Sequence, residues 1–499
     1  MKKKCLVVSL LCFVATLYAA PALESISIVP TAAPLPQEYV MVLTGCDWGP
    51  AITKVVLNTD RTIIASVIEA HDFAVDVVLR QINSDSKNQS LGIVTGQLQV
   101  AAAYSCDAYG AHTDEVASRY IALEIAFAPW LTDGDPFFHF PKAKNMSSVC
   151  GLRIKNECLQ LLINERTAIV NDLAGQFTTA IFADDYVSLN YAWWLPPTAR
   201  KTETAANDDA AAQPSADKEA KIPLIVWFHG LGEDGTNPYL PLFGTKSTNL
   251  ITDTVQQFFQ NGAAVLVPQS PTSWLETTTK DIFGNRIWAP ADIQGIKKKI
   301  TQPVTGFVGK FFTKSAKSST EPTATVSYYT VAIKNLILQF LSAHPELDAE
   351  RVYVGGCSAG GYMTINMCLQ CPELFAAAFP TCGAFPDSKI THSQIEQLAH
   401  MPLWFVHARN DKTVKPETHD MATVERLRIA NAQNLHYTLW DDVHDVTGTY
   451  KMQEDDDNYD ADAPYQFDGH YSWIYTLNNN CTDGGVSLFE WLSQQKRKP

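Results

Sequence analysis

The stretch Arg351-Val352-Tyr353-Val354-Gly355-Gly356-Cys357-Ser358-Ala359-Gly360-Gly361-Tyr362-Met363 admits few folds. A β-branched and aromatic run ends in glycines, a serine stands between them, and a helix-compatible stretch follows. This is Gly-x-Ser-x-Gly in the setting of strand, sharp turn and helix, which lifts the serine hydroxyl to the carboxyl end of a sheet. Gly356 and Gly360 let strand and helix pass closely, where a Cβ would obstruct them. The helix that follows directs the positive end of its dipole at Ser358, and the Ala359 N–H is placed to hold an oxyanion. The stretch predicts an α/β fold with Ser358 as candidate nucleophile; its bland reading is a structural turn.

The surrounding chain agrees with that fold. Ile222 to Phe228 reads as a buried strand running into His229-Gly230-Leu231-Gly232-Glu233. Such a loop supplies the second oxyanion donor beside an elbow serine, here the N–H of Leu231. His229 precedes the serine in the chain and is expected to pack beneath the loop. A further strand, Ala263 to Pro268, leads to Trp274, which is a candidate substrate contact or a core aromatic. Tyr328 to Ala343 has the apolar spacing of a helix. Alternating strands and helices predict a mostly parallel sheet covered on both faces.

A serine hydroxyl is a poor nucleophile until a histidine takes its proton and a carboxylate orients that histidine. In this fold the chain order is serine, acid, histidine. Asp411, in the loop after the strand Met401 to His407, is the candidate acid, with Asp387 the alternative. Two histidines compete for the base: His444, directly after the strand Leu435 to Trp440, and His470, in Asp468-Gly469-His470-Tyr471-Ser472-Trp473. The acidic run Glu454 to Asp462 between them lacks the glycine and terminal glutamate of a calcium-binding hand and reads as a solvated loop. Cys368-Leu369-Gln370-Cys371 has no second ligand pair nearby and reads as structural rather than metal-binding or redox-active.

Leu23 to about Phe140 is different in kind. Short β-branched runs such as Tyr39 to Leu43, Ile52 to Leu57, Phe73 to Leu79 and Tyr120 to Phe127, separated by turn residues, predict a β-sandwich. The expected division is a leader over 1–22, an all-β sandwich over 23–145 and the α/β domain over 146–499. Within the last, 198–221 is low-complexity and reads as a solvated insertion between neighbouring strands. Residues 276–325, with Lys297-Lys298-Lys299, are irregular and read as a lid or a floppy insertion.

Met1-Lys2-Lys3-Lys4, the apolar run Cys5 to Tyr18 and the small residues Ala19 to Ala22 have the form of a cleaved export signal, so the mature protein is expected to be soluble and exported, periplasmic or extracellular, without a membrane anchor. The net charge of −15 argues against nucleic acid or an anionic membrane as main partner. Of eleven cysteines, Cys5 and Cys12 lie in the leader. The odd remainder leaves at least one unpaired, with Cys46–Cys106 and Cys150–Cys158 as plausible bridges.

The chain resembles the secreted esterases that carry an immunoglobulin-like domain before an α/β-hydrolase domain, often labelled prolyl-oligopeptidase-like or predicted-peptidase proteins. The similar residues are Cys46-Asp47-Trp48-Gly49-Pro50-Ala51-Ile52-Thr53-Lys54-Val55, Trp227-Phe228-His229-Gly230-Leu231-Gly232-Glu233-Asp234-Gly235-Thr236, the elbow, Val406-His407-Ala408-Arg409-Asn410-Asp411 and Gly469-His470-Tyr471-Ser472-Trp473-Ile474-Tyr475-Thr476-Leu477-Asn478-Asn479. The resemblance implies a carboxylesterase for short acyl esters, on small molecules or polymers, with no cofactor, and a triad of Ser358, Asp411 and His470. It thereby prefers His470 to His444. The two insertions and Cys357 depart from the pattern. Alternatives are a serine peptidase, an acetyl or feruloyl esterase on plant polysaccharide, and an adhesion protein with an inert hydrolase domain.

Overall fold

A computed structural model describes residues 28–79, 93–131, 151–184, 187–199, 221–278, 326–454 and 459–497. The N-terminal part is a sandwich. Strands β1 (Ile28–Val29), β2 (Glu38–Cys46), β3 (Gly49–Ile64), β4 (Phe73–Leu79), β5 (Ile93–Leu98), β6 (Val100–Cys106), β7 (Ala117–Ile125), β8 (Gly151–Asn156), β9 (Leu161–Ile163) and β10 (Glu165–Val170) form two sheets, ordered β1-β10-β2-β3-β7-β6 and β5-β4-β8-β9. Alternate residues such as Tyr39, Met41, Val55, Leu57, Ile121 and Leu123 point between the sheets and are fully enclosed, as the two-residue period of a strand requires. Because β8 pairs with β4, β9 with β8, and β10 with β2, the sandwich runs on to Val170. The boundary expected at 145 lies too early: those strands look alike in sequence, and only their pairing partners assign them.

The second domain is built on one eight-stranded sheet. β11 (Thr178–Ala183), β12 (Ser188–Trp194), β13 (Ile222–Phe228), β14 (Ala264–Gln269), β17 (Leu347–Cys357), β18 (Ala377–Thr381), β19 (Leu403–Ala408) and β20 (Leu435–Trp440) lie in the order β11-β12-β14-β13-β17-β18-β19-β20, with the two-residue strands β15 (Thr277–Thr278) and β16 (Val326–Ser327) paired beside it. The six strands from β14 to β20 are mutually parallel. Both faces are covered. Ile225 and Trp227 pack on one side with Val265, Tyr353, Phe379 and Trp404; Leu224, Val226 and Phe228 pack on the other against Ile333, Ile337 and Met363. That is why the strands read as unbroken apolar runs. β12 and β13, which flank the low-complexity segment, share this sheet but with β14 between them, so they are not neighbours as expected. After β13 the chain goes to β14 on one side, then crosses to β17 on the other. The crevice at the carboxyl ends of β13 and β17 is therefore a topological switch point, where open α/β sheets bind ligands.

The sandwich rests against the segment leading to His470. Trp48 meets Tyr450 edge-on at 5.0 Å and stacks with Phe467 at 6.4 Å, and Asp47 bonds Lys246 and Asn478 at 3.0 Å each. Cys46 and Cys106 are both buried free thiols. Two strands intervene between β2 and β6, so about 14 Å of sheet separates them, twice the reach of a disulfide. Cys158 is a free, exposed thiol. Cys150, residues 1–27 with the leader expected there, most of the low-complexity segment and residues 279–325 lie outside the described residues.

Candidate active site

The elbow is built as the motif predicts. β17 ends at Cys357, and the helix Ala359–Gln370 begins two residues on. Ser358 between them has φ 55° and ψ −114°, a strained conformation for a side-chain-bearing residue, costing about 1–3 kcal/mol. The strain is held from both sides. The Ser358 N–H donates to Thr381 O at 3.0 Å, and the Ala384 N–H donates to Ser358 O at 3.0 Å. A Cβ on Gly356 would sit 2.6 Å from Phe228 O, and one on Gly360 would collide with the same oxygen.

His470 and Asp411 meet this serine across long stretches of chain. His470 lies 112 residues from Ser358, yet its Nε2 is 2.8 Å from Ser358 Oγ. Its Nδ1 is 2.7 Å from Asp411 Oδ2. A carboxylate only accepts, so the proton sits on Nδ1, and the Nε2 lone pair faces the serine hydroxyl. Asp411 Oδ1 accepts the N–H groups of Thr413 and Val414, each at 2.8 Å. Burial pushes this carboxyl up, but hydrogen bonds from His407 and His470 outweigh it and hold it well below the usual carboxylate range.

The loop after β13 forms the facing wall. His229 is 1% exposed. Its Nδ1 is 2.7 Å from Gly230 O, while its Nε2 accepts the Ser270 N–H at 3.1 Å. Burial pushes it down to about 4, so it is neutral. Gly230 N–H donates to Glu233 Oε2 at 2.6 Å, and Gly232 N–H to Asp234 Oδ1 at 3.0 Å. Burial pushes the Glu233 carboxyl up to about 8. With its neighbours committed, the Leu231 N–H has no acceptor among the described residues, and neither does the Ala359 N–H. Gly230 abuts the elbow, since a Cβ there would meet Cys357 Sγ at 3.5 Å.

Trp274 is not where a substrate contact belongs. It is fully buried, donates its indole N–H to His229 O at 3.1 Å, and packs on Phe228 and Tyr329. Its apolar ring fills the space under the loop. His444 bonds Asp442 at 2.6 Å and lies near Tyr475 Oη. Asp387 is paired with Arg426 at 2.9 Å. Cys368 and Cys371 are buried free thiols, and no cluster of three or more metal-ligating side chains occurs among the described residues. Two residues that sequence reasoning passed over join the site, His407 and Asp420. The only available signal for the first was its place in Val406-His407-Ala408-Arg409-Asn410-Asp411, four residues before the acid. Asp420 had none.

Residues 38–159 match the esterase Ig-like N-terminal domain, and residues 310–454, which include Ser358 and Asp411, match the phospholipase/carboxylesterase family. Among solved structures, a thermostable esterase is similar over 92% of this chain and 100% of its own, at 20% identity and TM-score 0.58, which shows a shared fold. A ferulic acid esterase (11% identity, 54% of this chain and 91% of that one, TM-score 0.35) and an acylaminoacyl peptidase of Pyrococcus horikoshii (15%, 58% and 41%, 0.31) are more distant. No curated protein matches the chain. One chain thus joins an N-terminal sandwich that matches the esterase Ig-like domain to an α/β-hydrolase domain that matches the phospholipase/carboxylesterase family, and the protein is a hydrolase of that two-domain build.

Proposed function

We propose that the protein is an exported serine carboxylesterase that cleaves short-chain acyl esters through Ser358, His470 and Asp411. The observation that carries this reading is the unbroken chain of hydrogen bonds from Ser358 Oγ through His470 to Asp411. His470 takes the Ser358 proton as the oxygen attacks the ester carbonyl. Asp411 stabilises the imidazolium that forms. The N–H groups of Leu231 and Ala359 receive the oxyanion of the tetrahedral intermediate, aided by the dipole of the elbow helix. His470 returns its proton to the departing alcohol, leaving an acyl-enzyme. Water activated by the same ring attacks the acyl carbon and frees Ser358. Export rests on the basic start and apolar run of residues 1–22.

The test is hydrolysis of p-nitrophenyl acetate, butyrate and octanoate by the full chain and by Ser358→Ala, His470→Ala and His444→Ala. Loss in the first two variants with a near-normal third supports the reading, and the chain-length profile sizes the acyl pocket. A dead His444→Ala beside an active His470→Ala sinks it. Mass determination of the mature N-terminus tests export.

A further inference from the structure

We propose that His407 is a positioning residue for this reaction: a buried imidazolium shared between Asp420 and Asp411, which locks the acid in the orientation His470 requires. The proposal rests on the triad reading above. The ring is fully enclosed. Its Nε2 lies 2.9 Å from Val414 O and 3.2 Å from Asp411 Oδ2. Its Nδ1 lies 2.9 Å from Asp420 Oδ2, an oxygen that already accepts the Gly383 N–H at 2.9 Å. A carbonyl oxygen only accepts, so Nε2 carries a proton. A carboxylate oxygen that is already accepting demands a proton on Nδ1 too. A ring with both nitrogens protonated is a cation. Burial opposes that charge, but hydrogen bonds to Asp411 and Asp420 outweigh it and raise the group to about 10.

The cation does two things. It completes the ring of donors around Asp411, whose two oxygens then receive His407, His470, Thr413 N–H and Val414 N–H. With every direction taken, the carboxylate can neither rotate nor protonate without breaking a bond. It also ties the acid loop to the nucleophile. Asp420, at the start of the helix Asp420–Ile429, grips Gly383, and the next residue, Ala384, braces the Ser358 carbonyl. The other titratable groups facing this network are the Cys382 thiol, the Tyr437 phenol of β20 and Asp468, which accepts the His470 N–H. Burial pushes Cys382 and Tyr437 upward, so both stay neutral in the working range. The fixed charges are thus Asp420 negative, His407 positive and Asp411 negative. The His407 cation lies on the far side of Asp411 from His470, so the base shares its carboxylate with a second positive group.

The test compares kcat and KM for p-nitrophenyl butyrate from pH 4.5 to 9 in wild type, His407→Gln and His407→Gln/Asp420→Asn, the last removing both buried charges together. The expected result is an unchanged KM, a kcat lower by about tenfold or more in both variants, and an acid limb of kcat/KM displaced upward by about half a pH unit or more in His407→Gln and by less in the double variant, which also loses the Asp420 anion. An acid limb that coincides with wild type in both overturns the proposal. Should the variants not fold, nitrogen-15 NMR of wild type at pH 8 decides: two protonated ring nitrogens on His407 support it, and a neutral ring overturns it. An active Ser358→Ala would defeat the triad reading itself, separately from His407.

Discussion

His229 and His407 occupy equivalent places and end with opposite charges. Each lies at the carboxyl end of a parallel strand, β13 and β19, and each is sealed from solvent. The His229 ring has one acceptor, Gly230 O, and one donor, the Ser270 N–H. It is held neutral. The His407 ring has acceptors at both nitrogens and is held charged. Burial pushes both groups the same way, toward neutrality, with His229 down to about 4 and His407 nonetheless up to about 10. The contrast teaches that what faces the ring nitrogens, rather than depth, sets the charge of a buried histidine. The neutral ring shapes the oxyanion loop, and the charged one anchors the acid.

The hardest way to break the charged side is Asp411→Asn. An amide N–H pointed at His470 favours the wrong tautomer, and kcat should fall about 10⁴-fold. Activity recovering above pH 8 without loss of structure by circular dichroism would show that only orientation had been lost.

His229→Gln should cost less and in another way. A flexible amide lacks the rigid ring that meets Gly230 O and the Ser270 N–H at once, so the loop carrying Leu231 shifts, and kcat should drop about 10²-fold, comparable to loss of one oxyanion donor. The acid limb of kcat/KM should stay at its wild-type pH. An upward displacement there would erase the distinction drawn between the two rings.

The pH dependence of stability sharpens the comparison further. His229, lowered in the folded state, contributes stability that is present above about 6.5 and lost as pH falls toward 4. His407, raised, contributes stability that is full below about 6.5 and lost as pH rises through 10. Thermal midpoints relative to wild type should therefore diverge: His229→Gln narrows its deficit on the acid side, and His407→Gln narrows its deficit on the alkaline side. Across their windows the changes should be on the order of 3 kcal/mol for His229 and 5 kcal/mol for His407. Parallel curves for both variants would refute the assignment.

The smallest effect belongs to His444→Ala. Its partner Asp442 is part-exposed, and such pairs are worth about 0.5 kcal/mol. Turnover within about twofold of wild type is expected.

Much of this site was legible in the chain. Strand, glycine, serine, glycine and helix occupy contiguous residues, so the elbow could be read from Val352 to Met363 without knowing any distant contact. Asp411 was readable because an acid loop must follow a strand. The base was harder. His444 and His470 both follow β20, and their separation in sequence says nothing about which swings back to Ser358. Trp274 was misplaced for the same reason, since an aromatic after a strand can face a cleft or fill the space beneath it. The sandwich boundary failed because β8 to β10 carry the same alternation whichever sheet they join.

Sequence alone determined the local chemistry: an elbow serine, a glycine loop ahead of it, an acid after a late strand, and an all-β segment before them. These are short-range patterns of backbone propensity and hydrophobic period. Tertiary structure decided everything that depends on closure over long stretches of chain. It brought His470 across 112 residues to Ser358 and 59 to Asp411, enclosed His229 and His407 in opposite settings, and recruited Asp420. The physical reason is that a hydrogen bond depends on distance and direction in space, and pairing across a sheet places side chains by strand order rather than by separation along the chain.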